Sequence, residues 1–180
     1  MPVELPIARC HDLDEGMQVR MAEEWVPAWV TKAARERGVC IYILPRKLSA
    51  RFIGLLTTDD VDSEHGFRYE DCRGVFLPSP YGGFQWSGRP YVVVRSETPF
   101  STALHEFGHV WDWLTGWCLS KEFWLPGAGG NDYANSNAAE QFAEALEECV
   151  RPDGMARLRK HHPTLAHFLG TCVWGMGVDT

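Results

Sequence analysis

The 180-residue chain contains no run of 18 or more apolar residues, which excludes a helix long and apolar enough to cross a membrane. It also lacks an excess of basic side chains: 17 Lys and Arg stand against 24 Asp and Glu, a formal net charge of -7. Nucleic-acid phosphates need a basic face, so nucleic acid is excluded as the expected partner, whereas a basic peptide remains compatible. Residues 1–16 carry Glu4, Asp12, Asp14 and Glu15 and have no apolar stretch of the kind that makes a secretory signal. The expected location is therefore cytoplasmic, or outside the cell by a route that uses no such signal. The six cysteines, Cys10, Cys40, Cys72, Cys118, Cys149 and Cys172, form no C-x-x-C pair. They read as reduced structural thiols, although their even number leaves disulfides open. His11 beside Cys10 and the pair His161–His162 have no ligand set around them. Repeats and low-complexity linkers are absent, and 45% hydrophobic content in this length fits one compact α+β domain spanning 1–180.

Hydrophobic spacing places the elements. Met17, Met21, Trp25, Val26, Trp29, Val30 and Ala33 recur at mostly helical intervals, with Pro27 as a kink or break and Gly38 as the end. Val39 to Leu44 reads as a strand closed by Pro45, and Phe52 to Thr57 as a second one of unclear register. Asp59 to Asp71 is an acidic loop. Asp59, Asp60, Asp62 and Glu64 match no EF-hand spacing and read as solvated rather than calcium-binding. Gly74 to Leu77 is a strand stopped by Pro78, Pro80 to Gly88 is turn-rich, and Tyr91 to Arg95 is strongly β-prone.

A helix begins directly after that strand, with Thr98 as cap and Pro99 at the first helical position. Ala103, Leu104, Phe107, Val110, Trp111 and Leu114 fall on one face of it, and Ser101, His105, Gly108, His109 and Asp112 on the other. His105-Glu106-Phe107-Gly108-His109 is the pattern H-E-x-x-H. On a buried helix it sets two imidazoles one turn apart, able to share a zinc ion, with Glu106 beside them to take a proton from water. Gly116 to Gly130 reads as a loop whose Trp117, Phe123, Trp124 and Pro126 pack beneath it or wall a substrate groove. A second helix starts with Ser136 as cap and carries Phe142, Ala143, Leu146, Cys149 and Val150 inward. A basic helix, Met155 to Leu169, follows and is split or interrupted at Pro163, and Gly175 to Thr180 reads as frayed.

Zinc peptidase sites have three protein ligands. Glu140 lies 31 residues after His109 at the start of the second helix, with Glu144 one turn further on the same face. That spacing suits one carboxylate as a metal ligand and another as a hydrogen-bond partner of a ligand histidine, and Asp112 is a further outer partner. A solvated acidic face made by Glu140, Glu144, Glu147 and Glu148 is the alternative that spacing alone leaves open.

The segments His105-Glu106-Phe107-Gly108-His109-Val110-Trp111-Asp112 and Tyr133-Ala134-Asn135-Ser136-Asn137-Ala138-Ala139-Glu140-Gln141-Phe142-Ala143-Glu144-Ala145 resemble the catalytic domain of anthrax toxin lethal factor. They also resemble the related Pro-Pro endopeptidases, within the gluzincin group. The resemblance is specific over residues 98–150 and only architectural over 16–95, and it extends to none of the targeting and docking domains of lethal factor. It implies a zincin-like fold, a small mixed sheet packed on the H-E-x-x-H helix and on a following glutamate-bearing helix. It also implies one zinc per chain on His105, His109 and Glu140, Glu106 as general base, and Tyr133, seven residues before Glu140, as oxyanion donor. The expected activity is hydrolysis of a protein or peptide substrate that adds as a strand to a sheet edge, with Gly74, Val75, Phe76 and Leu77 as the candidate edge. The competing class is a binding module that kept the fold with zinc as a structural staple, or an enzyme held latent by Gly116–Gly130 lying over its cleft.

Overall fold

The computed structural model of the chain describes residues 15–44, 74–78, 90–95 and 99–174. The second strand, the acidic loop with its calcium candidates, the 80–88 turns, Thr98, Cys10, Cys72 and the last six residues lie outside that range. The described elements form a mixed α+β arrangement. Helix α1 (Glu15–Trp25) and α2 (Ala28–Glu36) are separated at Pro27, whose extended backbone (φ -54°, ψ 137°) stops one helix and leads into the next. Gly38, at φ 72°, supplies the left-handed residue that turns the chain out of α2 toward strand β1 (Cys40–Leu44).

Strands β2 (Gly74–Leu77) and β3 (Tyr91–Arg95) complete a three-stranded sheet of order β1-β3-β2. β3 runs parallel to β1, with Cys40 opposite Tyr91 and Leu44 opposite Arg95. It runs antiparallel to β2, with Gly74 opposite Val94 and Leu77 opposite Tyr91. The central strand buries Tyr91, Val92, Val93 and Val94 without alternation, as expected of a strand covered on both faces. Among the described residues β2 pairs with β3 alone.

Helix α3 (Phe100–Leu114) follows β3 and lies against the sheet, α1 and a later helix, Ala138–Cys149. Pro99 stands at its N-cap, one place earlier than the sequence reading put it. Leu104, Phe107, Val110 and Trp111 are buried as their spacing requires, and Trp111 is boxed by the rings of Trp29, Phe142 and Phe168. The burial goes further than the apolar face, because His105, Glu106 and Asp112 are also buried.

The stretch expected to be a loop from Gly116 to Gly130 contains a helix, α4 (Cys118–Phe123). Gly116 (φ 72°) and Trp117 (φ 61°) reverse the chain in two left-handed residues, and six residues are too few to show a helical period. Phe123 packs on Phe168 with ring centroids 4.8 Å apart, and Trp117 lies against the core, so these two aromatics pack. Helix α5 (Ala138–Cys149) starts one residue later than a Ser136 cap implies, because Asn137 is the cap. The basic helix is split at Pro163 into α6 (Gly154–His161) and α7 (Pro163–Trp174), the latter running beyond Leu169. His162 between them is buried; its Nε2 donates to the Phe123 carbonyl at 2.5 Å and its Nδ1 accepts from the Leu165 amide, so it is a structural bolt. Cys40, Cys118, Cys149 and Cys172 are free thiols.

Candidate active site

The site forms where α3 crosses α5. Gly108 permits the crossing: a methyl group there would meet the Ala143 Cα at 2.9 Å, so the two helices touch backbone to backbone. His105 and His109 project from α3 one turn apart, with Nε2 atoms 3.2 Å from each other. Glu140 arrives from the first turn of α5. Its Oε2 is 3.1 Å from the His105 Nε2 and 3.5 Å from the His109 Nε2. The Asn137 side chain fixes that turn by accepting the amide of Glu140 itself at 2.9 Å.

Three ligand-type atoms therefore meet with mutual separations of 3.1, 3.2 and 3.5 Å. Tetrahedral zinc with bonds of about 2.0–2.1 Å holds its ligand atoms about 3.3–3.4 Å apart, so this triangle matches one face of such a site. The donor chemistry fits as well, two imidazole nitrogens and one carboxylate oxygen.

The charges around this triangle are predominantly negative. Burial works against a charged His105, yet the carboxylates of Glu140, Glu147 and Glu106 outweigh it and hold its pKa up at about 10. Glu140 is also opposed by burial, but the two histidines keep its carboxyl well below the usual range. The cluster thus has a standing demand for positive charge.

Behind His105, the Nδ1 atom makes no hydrogen bond; the Glu147 Oε2 lies 3.5 Å away and the Glu144 Oε1 3.8 Å away. Glu144 is thus on the side where the sequence reading placed it, but Glu147 is nearer. Burial opposes ionisation of Glu147, and His105 and Arg151 overcome it to lower its pKa to about 2. Arg151 grips Glu147 at 2.6 Å. Sequence reasoning left Glu147 on the solvated face. Its offset of seven from Glu140 and three from Glu144, two turns and one turn of helix, was the available signal. Burial raises the pKa of Glu144, and His105, Arg151 and Asn131 offset this only in part.

Glu106 is buried, 4% exposed, at the junction of α3 and β2. Burial raises its pKa, and the charges of His105 and His109 offset this only in part. The Phe76 backbone works the other way and lowers it, which puts this glutamate beside the candidate edge strand. Tyr133 stacks beside His105 with ring centroids 6.2 Å apart and is 41% exposed, so it borders both the cluster and solvent. Its loop is stiffened by amides that the sequence reading did not single out. The Gln141 side chain clamps both backbone groups of Leu125, and Asn135 bridges Gly129 and Asn131. Asp112 sits elsewhere. Its Oδ1 accepts the Ser120 amide at 2.9 Å and its carbonyl accepts the Trp117 amide, so its contacts close the α3–α4 turn rather than orient a histidine.

No protein-family model matches the chain, and no curated protein sequence does either. Solved structures do match. One of them is the Pro-Pro endopeptidase PPEP-2 from Paenibacillus alvei, at a TM-score of 0.63 and 18% sequence identity, covering 91% of this chain and 94% of that one. The chain shares the fold of that endopeptidase over nearly its whole length.

Proposed function

We propose that the chain is a zinc-dependent endopeptidase. The observation that carries this reading is the convergence of His105, His109 and Glu140 at tetrahedral-edge spacing, with the buried carboxylate of Glu106 on the same helix. In this reading the three residues hold one zinc ion, which when bound supplies the Lewis acidity that makes water a nucleophile near neutral pH. Glu106 takes a proton from the attacking water at its carboxylate and later returns it to the leaving amine. The Tyr133 hydroxyl donates to the oxyanion that develops on the scissile carbonyl. The substrate is an extended peptide pairing along β2, Gly74 to Leu77, on the side away from β3. The shared fold supports a peptidase over a binding module, and Pro-Pro peptides are the first substrates to try because the matched structure is named for them.

The test is digestion of a peptide library that includes Pro-Pro sequences by the zinc-loaded chain and by Glu106→Gln. Wild type should cleave, and the variant should keep its zinc while losing roughly 10²–10⁴ in rate. Cleavage at an undiminished rate by Glu106→Gln contradicts the base assignment. A wild type that binds zinc and cleaves nothing points to the binding module.

A further inference from the structure

We infer that Gly74 is a positioning residue for Glu106: the bare backbone of this edge-strand glycine is the surface against which the glutamate carboxylate is held. The inference rests on the peptidase reading for its catalytic meaning but on packing for its substance. A methyl group at Gly74 would lie 2.7 Å from the Glu106 Oε1, 2.9 Å from its Cγ and 3.1 Å from the Thr102 Cγ2. Favourable heavy-atom contacts begin at about 3.5 Å, so all three are overlaps.

The backbone itself does not call for glycine here, since Gly74 is not among the residues with positive φ. Glycine also weakens a strand interior, for want of a side chain and for entropy. What remains is space, and Glu106 occupies it. Two residues on, the Phe76 backbone also lies near that carboxylate and favours its ionised form. Residues two apart on a strand share a face, so Gly74 and Phe76 stand on the same side of β2. Thr102, one turn before Glu106 on α3, closes a further side.

An added methyl group is anchored by the β2–β3 ladder, in which Gly74 pairs with Val94. The glutamate tip is the part that yields, and it moves off its place beside β2. Displacement of a reacting group by about 1 Å costs on the order of 10²-fold in rate.

The experiment is Gly74→Ala made in two backgrounds, wild type and Glu106→Ala. In the wild-type background kcat should fall on the order of 10²-fold with KM within about threefold and one zinc per chain retained. The unfolding midpoint of the metal-free chain should drop on Gly74→Ala when Glu106 is present. It should stay level or rise when Glu106→Ala has removed the opposing atoms. A kcat within about threefold of wild type, or equal midpoint shifts in the two backgrounds, overturns the inference. The midpoint comparison needs neither zinc nor substrate. A chain that takes up no metal and cleaves nothing would refute the proposed function while the Gly74–Glu106 contact is still decided.

Discussion

Gly108→Ala sets two effects of opposite sign against each other, and the structure says which wins. In a helix interior the substitution normally stabilises by about 0.8–1.0 kcal/mol, because alanine surrenders less backbone entropy. Here the new methyl group would meet the Ala143 Cα at 2.9 Å and its Cβ at 3.3 Å. Ala143 is fully buried and the nearer atom is backbone, so no rotamer change relieves the contact and the α3–α5 crossing must open. Overpacking of this kind costs about 1–3 kcal/mol, which leaves a net loss of about 1 kcal/mol and at most about 2. For a chain of this size each kcal/mol lowers Tm by about 2–4 °C. The metal triangle must suffer as well, because the 3.1 Å gap from His105 to Glu140 spans that same crossing. Zinc affinity should fall by about 10–100-fold, the range found when groups that orient ligands are disturbed. Thermal unfolding of the metal-free chain gives the first quantity and chelator competition the second. A variant stabilised by about 1 kcal/mol with unchanged zinc affinity would refute the claim that this crossing sets the site.

Tyr133→Phe should leave zinc content and fold unchanged while lowering kcat on the order of 10²–10³-fold, read by steady-state kinetics on any cleaved peptide. A loss within about threefold would make the tyrosine a structural residue of its loop. Asn137→Ala removes the acceptor for the Glu140 amide and should cost about 0.5–2 kcal/mol in denaturant unfolding. Because that amide belongs to a proposed ligand, zinc binding should weaken with it; full affinity in the variant would show that the cap does not position Glu140.

Periodicity and breakers carried most of the described fold: the break at Pro27, the strands at Cys40, Gly74 and Tyr91, and the helix bearing His105 and His109 all stand within a residue or two of their expected places. These are local properties, and local sequence reports them. The short helix Cys118–Phe123 escaped because it holds less than two turns and opens on Trp117 in a left-handed conformation that composition does not announce. At the start of α5 both Ser136 and Asn137 are capping types, and only the Asn137 bond to Glu140 tells them apart. Around the site, the H-E-x-x-H pattern and helical spacing pointed to His105, Glu106, His109 and Glu140, the resemblance added Tyr133, and the structure brings these five into one neighbourhood. Helical spacing puts Glu147 on the face of Glu140 and Glu144, but that it meets His105, like Gly108 against Ala143 and Gly74 against Glu106, depends on how distant segments meet. Asp112 shows the converse. Helical spacing put it on the histidine face, but the turn into α4 takes its carboxylate for Ser120.

The central claim is the metal centre, and counting zinc tests it most directly. The chain should be stripped with a chelator, reloaded with zinc, desalted and analysed for metal per chain, with His105→Ala treated in parallel. One tightly bound zinc per wild-type chain and loss of that equivalent in His105→Ala is the predicted result. A full equivalent of tightly held zinc in His105→Ala, or none in wild type, would contradict the site built from His105, His109 and Glu140.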